Sequence, residues 1–133
     1  MKKQSLNPNT LFDSTPFGFS QIVIAKPGKM VFISGQVAWD ENRNIVGRND
    51  LAMQVQKTLE NLRTAMQAVG GTLSDIVMLR IYKVNLQTED THIISKALLD
   101  HFGTEHQPAS TWLNVQGLAN PAFQIEIEAQ AIL

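Results

Sequence analysis

The chain has 133 residues and no cysteine. Disulfide staples, zinc–thiolate sites and thiol catalysis are therefore excluded. It also lacks an excess of either charge: 11 Lys and Arg stand against 12 Asp and Glu, a formal net charge of −1. Proteins that hold nucleic acid through phosphate contacts usually carry a basic surplus, so no nucleic-acid partner is expected. No segment approaches the ~20 apolar residues that a membrane span needs. Met1-Lys2-Lys3-Gln4 leads into Asn7-Pro8-Asn9 rather than an apolar run, so it does not read as a signal peptide, and a soluble cytoplasmic protein without a membrane partner is expected. His92, His101 and His106 show no metal-ligand spacing. A glycine-rich phosphate loop and a Gly-x-Ser-x-Gly elbow are missing too, so neither metal nor cofactor is expected. What is present is 44% apolar residues, enough for one globular domain over residues 1–133.

Residues 1–19 read as an irregular lead-in broken by Pro8, Pro16 and Gly18. Gln21–Ala25 and Met30–Ala38 are β-rich, and the Lys26-Pro27-Gly28-Lys29 turn between them predicts a hairpin. Asp40–Asp50 is polar and loop-like. Leu51, Val55, Leu59, Leu62, Met66 and Val69 recur at helical spacing, with Asp50 placed to cap the start and Gly70-Gly71 to stop the end. Ile76–Leu86 is apolar enough for a central strand. A shorter helix is predicted from about Thr91 to Phe102, before Gly103. Ser110–Gln116 and Ala122–Leu133 complete a β-β-α-β-α-β-β order. That order implies an α+β fold, one sheet with both helices on one face. The other face is then left for a partner subunit, and Trp112, Asn114, Gln124 and Glu126 are expected on it.

Phe123, Ile125, Ile127, Ala129 and Ala131 alternate with Gln124, Glu126, Glu128 and Gln130. The strand rise puts the two carboxylates about 7 Å apart on one face. They either contact a ligand or face solvent. Gly35, inside Ile33-Ser34-Gly35-Gln36-Val37, either makes a bulge or admits a close backbone approach. Trp39 and Trp112 are packing residues or cleft walls. Trp112 shares its strand face with Ser110 and Asn114.

Five motifs occur in order: Phe17-Gly18-Phe19-Ser20-Gln21, Ile33-Ser34-Gly35-Gln36-Val37, Asn61-Leu62, Pro108-Ala109-Ser110-Thr111 and Ile125-Glu126-Ile127-Glu128-Ala129. Together they resemble the Rid family (reactive intermediate deaminase, also called YjgF or endoribonuclease L-PSP), over nearly the whole chain from Asn7 to Leu133. The resemblance implies a chorismate-mutase-like fold and a homotrimer with three clefts, each between neighbouring subunits. It implies Glu126 as the residue that positions or activates a hydrolytic water. It brings Phe19, or Phe17, to the cleft where the family has a tyrosine, and the Ser34-Gly35 backbone close to it.

One departure bears directly on activity. Deaminating members read Pro-Ala-Arg-Ser, and their arginine grips the carboxylate of an imino acid. Here Ser110 stands at that position. One neutral hydroxyl replaces a planar two-donor cation. The expectation is a small-molecule-binding protein, a hydrolase of an imine, enamine or related C–N bond but not a standard 2-imino acid deaminase. Catalysis falls to Glu126, and ligand contacts to Ser110, Phe19, Ser34, Gly35, Trp112 and Asn114. The alternatives are a non-enzymatic trimer that binds a metabolite or protein and, third, the endoribonuclease of the older family name.

Overall fold

The computed structural model describes residues 3–133, and the Met1-Lys2 start of the basic lead-in lies outside the described residues. Strands β1 (Lys3–Leu6), β2 (Ile22–Ala25) and β3 (Met30–Gln36) come first. Helix α1 (Leu51–Ala68), strand β4 (Ile76–Val84), helix α2 (Thr88–Phe102), and strands β5 (Ala109–Val115) and β6 (Ile125–Ile132) follow. The main sheet has the order β3-β6-β4-β5, and β1 and β2 form a separate two-stranded ribbon. β4 and β5 run parallel, whereas β6 is antiparallel to both β3 and β4. Each parallel relationship needs a crossover, and α1 and α2 supply them. No described helix is long and apolar enough to cross a membrane.

The helices form where local signals place them. The Asp50 carboxylate accepts from the Met53 amide at 3.1 Å. At the other end the Gly70 and Gly71 amides turn back to the Gln67 and Met66 carbonyls. The predicted face of α1 is buried, except Val69, which lies past the last turn and is 44% exposed. Helix α2 starts earlier than its apolar spacing suggests, at Thr88, because Asp90 accepts from the Gln87 amide and completes a capping box. Leu59, Leu62 and Met66 of α1 and Ile94 and Leu98 of α2 meet Leu79, Ile81, Ile125 and Ile127 of the sheet in one buried core.

The start of the lead-in and the hairpin are both corrected, while residues 7–19 are loop and turn apart from a 3-10 turn at Thr15–Phe17. Lys3–Leu6 is a strand that pairs antiparallel with β2. Lys3 is nearly buried, and its ammonium donates to the carbonyls of Ser74, Ile76 and His106. These bonds tie the segment down, so it is not irregular. β2 does not pair with β3. Lys29 and Leu133 exchange reciprocal backbone bonds at 3.0 and 2.9 Å, so the Pro27-Gly28 turn hands the chain to β6 instead of closing a hairpin.

Candidate functional site

The order of the strands places Glu126. β6 lies between β3 and β4, with Glu126 opposite Tyr82 and Glu128 opposite Arg80, all on the face away from the helices. Ile125, Ile127, Ala129 and Ala131 are buried on the helix side. Between Ile33 and Gln36 the pairing of β3 with β6 slips, which is a bulge at Ser34-Gly35. Gly35 also admits a close approach, because a Cβ built on it would lie 2.5 Å from Glu126 Oε2. The two readings of this glycine hold together: the bulge brings the backbone to the carboxylate, and only hydrogen leaves room for it.

Glu126 and Gly35 line a cavity of about 570 Å³ with Trp39, Lys57, Asn61 and Phe123. Two amides on α1 build its walls. Asn61 Nδ2 donates to the Val37 and Trp39 carbonyls at 2.9 and 3.0 Å, and so fixes the loop after β3. Buried Gln54 donates to the Gly47 and Ala122 carbonyls and accepts from the Gln124 amide, and so fixes the entry to β6. The Trp39 and Phe123 rings meet edge to face with centroids 4.9 Å apart. Asp40 and Glu41 stand at the rim. The Asp40 carboxyl is held below its ordinary range, first by the Asn44 amides, then by the Asn42 amide and the Lys57 charge.

Burial first, and then the Glu128 charge, raise the proton affinity of Glu126 above that of an ordinary carboxyl. Glu128 accepts a hydrogen bond from the Tyr82 hydroxyl, and that carboxylate in turn keeps the phenol protonated above its usual range. Two neighbouring carboxylates thus have different surroundings, one bonded to a phenol and one over a cavity. Sequence reasoning alone misses Tyr82 and Arg80. The alternation of Met78, Arg80, Tyr82 and Val84 with Leu79 and Ile81 carries their signal. Lys83 masks it, because it is buried on the apolar side in a 3.2 Å ion pair with Asp90.

The other candidates lie elsewhere. Parallel pairing sets Ser110 opposite Leu79, Trp112 opposite Ile81 and Asn114 opposite Lys83, so all three project to the helix side. The expectation that Trp112 and Asn114 share the open face with Glu126 is therefore wrong. Trp112 packs against the core cluster, and the Ser110 hydroxyl is buried without a hydrogen-bond partner among the described residues. Asn114 accepts from the Leu86 amide at 3.1 Å, beyond the end of β4. Phe19 and Trp112 meet Phe12, Phe17 and Thr91 around a separate pocket of about 300 Å³. Gly18 makes this possible, because its φ of 93° and missing side chain let the aromatic segment lie against Leu98 of α2. Ser34 is exposed beside Gly35, and its carbonyl accepts from Gln36 Nε2. A single chain thus joins Glu126 with Gly35, and Phe19 with Trp112, on different sides of the sheet. Among the described residues no group of three His, Asp or Glu side chains could hold a metal ion.

The model of the family described as "Endoribonuclease L-PSP" matches residues 14–133. The chain belongs to that family. Its relatives include proteins that carry the RutC name. A RutC family protein of Pyrococcus horikoshii is 30% identical over 117 residues, 87% of this chain and 88% of that one. The 3-aminoacrylate deaminase RutC of Acinetobacter baylyi is 30% identical over 106 residues, 80% of this chain and 81% of the other. Among solved structures, YyfB of Yersinia pestis, described as a conserved Rid-family protein of unknown function, superposes with a TM-score of 0.96. The two are 38% identical, and the match covers 100% of both chains. The α+β fold with a mixed sheet and two helices is that of the Rid family.

Proposed function

We propose that this Rid-family chain hydrolyses an imine, enamine or related C–N bond in a cleft between the subunits of a homotrimer, with Glu126 as the base that activates water. The observation that carries this reading is the Glu126 carboxylate, held over Gly35 at the wall of a cavity, with its proton affinity raised by burial. A base of that kind takes a proton from water as the oxygen bonds to the C=N carbon. Returning the proton to nitrogen gives the carbinolamine, whose hydroxyl proton then passes to nitrogen as ammonia leaves and the carbonyl forms; an enamine first gains a proton at carbon and loses one from nitrogen to become that imine. One water is consumed, and the carboxylate is regenerated.

Two features support the trimer. The open sheet face carries exposed apolar side chains at both edges, Met30 and Phe32 on β3 and Leu113 on β5, at 62%, 67% and 41% exposure, around the polar Arg80, Tyr82, Glu126 and Glu128, a mixed surface suited to a second copy. The candidate residues also fall into two groups that one chain keeps apart, as expected where a cleft is completed by a second copy. The A. baylyi relative, named as a deaminase of an enamine, supports the reaction class.

The test measures ammonia and carbonyl product from an uncharged enamine and from 2-iminopropionate generated in situ, with light scattering for mass. We expect three chains per particle and turnover of the uncharged substrate that Glu126→Gln abolishes. Turnover of iminopropionate should be poor, since Ser110 offers a carboxylate no cation. A monomer, or turnover unaffected by Glu126→Gln, would refute the proposal.

A further inference from the structure

The second pocket is chemically unlike the first. Three phenylalanines and a tryptophan surround about 300 Å³, and no charged side chain among the described residues lines it. Phe12 lies edge-on to both Phe17 and Phe19, with centroids 6.2 Å apart in each pair. Edge-on rings present faces and edges to a further ring, which prefers the same offset and T-shaped contacts. Phe12 and Phe17 are 61% and 45% exposed, and Leu11 beside them is 48% exposed. Apolar side chains gathered this way at the surface mark a contact site. Two polar atoms on this side of β5 are unpaired: Trp112 Nε1 and Ser110 Oγ are both buried without a partner among the described residues. A carbonyl or amide at the edge of the indole would satisfy a donor that the chain leaves unused. The Thr91 hydroxyl is already committed to the Thr88 carbonyl.

We infer that Phe12, Phe17, Phe19 and Trp112 form a subsite for an uncharged aryl group, and that the ligand of this chain is an aryl-bearing molecule without a carboxylate. That the aryl group is carried on an imine or enamine rests on the function proposed above; the subsite itself does not. A carboxylate placed here would lose water and meet no cation, which is unfavourable. A volume near 300 Å³ is at the small end of ligand sites and suits one ring with a short polar arm.

The experiment uses the assembled protein carrying Trp39→Phe, so that Trp112 is its only indole, and follows Trp112 fluorescence. The probes are phenylacetamide, phenylacetate and phenethylamine. Phenylacetamide should quench or shift the emission saturably and bind at least about tenfold more tightly than phenylacetate, a difference of about 1.4 kcal/mol. Phe12→Ala, at an exposed position that leaves the core intact, should weaken phenylacetamide by a similar factor. Glu126→Gln should leave its binding unchanged. Tighter binding of phenethylamine or phenylacetate overturns the inference. So does an unchanged spectrum with all three, which would mean that a neighbouring subunit fills the pocket. If phenylacetamide binds and no imine or enamine is turned over, the hydrolase reading fails while the subsite stands. If turnover occurs and phenylacetamide does not bind, the subsite fails alone.

Discussion

Gly35→Ala tests the relation between the bulge and Glu126 more sharply than removing the carboxylate does. The new methyl would sit 2.5, 2.7 and 2.8 Å from Oε2, Cδ and Cγ of Glu126. Ordinary contact distances are about 3.5 Å, so the end of the glutamate must move by roughly 1 Å. Only a flexible side chain is displaced, and it can rotate toward solvent. The cost is about 0.5–1.5 kcal/mol of rotamer strain. Restricting the unfolded chain returns about 0.4–1 kcal/mol. Stability should therefore change by less than about 1 kcal/mol in denaturant unfolding. Function should not be spared: a reacting group misplaced by roughly 1 Å loses about a hundredfold in rate. Released from its half-buried position, the Glu126 carboxyl should also titrate closer to its ordinary value. Carbon-detected NMR of labelled glutamate, recorded beside the rate, reads both effects. A variant with wild-type rate and wild-type Glu126 titration would show that the close approach has no bearing on the carboxylate.

The proton affinity of Glu126 also sets a pH dependence. Its folded-state pKa is raised, so the stability it contributes is complete below the unfolded value of 4.5 and is lost as pH rises through the folded value. The acid limb of the rate profile should fall above pH 4.5, and Glu126→Gln should remove the stability change in the same range. Lys3 runs the other way. Burial lowers its pKa from 10.5 to about 8, so the native state sheds the proton first and stability rises with pH between those values. Urea unfolding at either end of that window should show the rise in wild type and not in Lys3→Met. Gln54→Leu leaves the Gly47 and Ala122 carbonyls and the Gln124 amide without their partner, which should cost about 1–3 kcal/mol and lower the melting temperature measured by circular dichroism.

Where information is local, the sequence is enough to read the structure. Asp50 and Gly70-Gly71 bound α1 because caps act on backbone groups within one turn. The alternation from Ile125 to Ala131 fixes which side of β6 is buried, so Glu126 is legible as a residue on the polar face. Its position over Gly35 is not, because it depends on a slipped pairing between strands about ninety residues apart. The same limit covers the Pro27-Gly28 turn and the face of β5. Pro27-Gly28 announces a turn but not which strand receives the chain afterwards. The alternation within β5 groups Ser110, Trp112 and Asn114 correctly, yet only the register with Leu79, Ile81 and Lys83 decides which layer they enter. The ribbon at Lys3–Leu6 was hidden because its anchor is a lysine, a residue expected in water and here bonded to carbonyls.

Strand β6 lies in the interior of the main sheet but comes last of the strands in chain order. Until it arrives, β3 has no partner in that sheet, and β4 can pair only with β5. The two helices have no finished surface to cover, and the backbone edges of both strands stand open to any other chain. Pairing of this kind is dominated by contacts distant in sequence, which makes folding slow and leaves strand edges exposed to aggregation meanwhile. The residue that the proposed chemistry depends on sits on that last strand. A ribosome therefore adds the carboxylate and the strand that completes the sheet within the same few residues of synthesis.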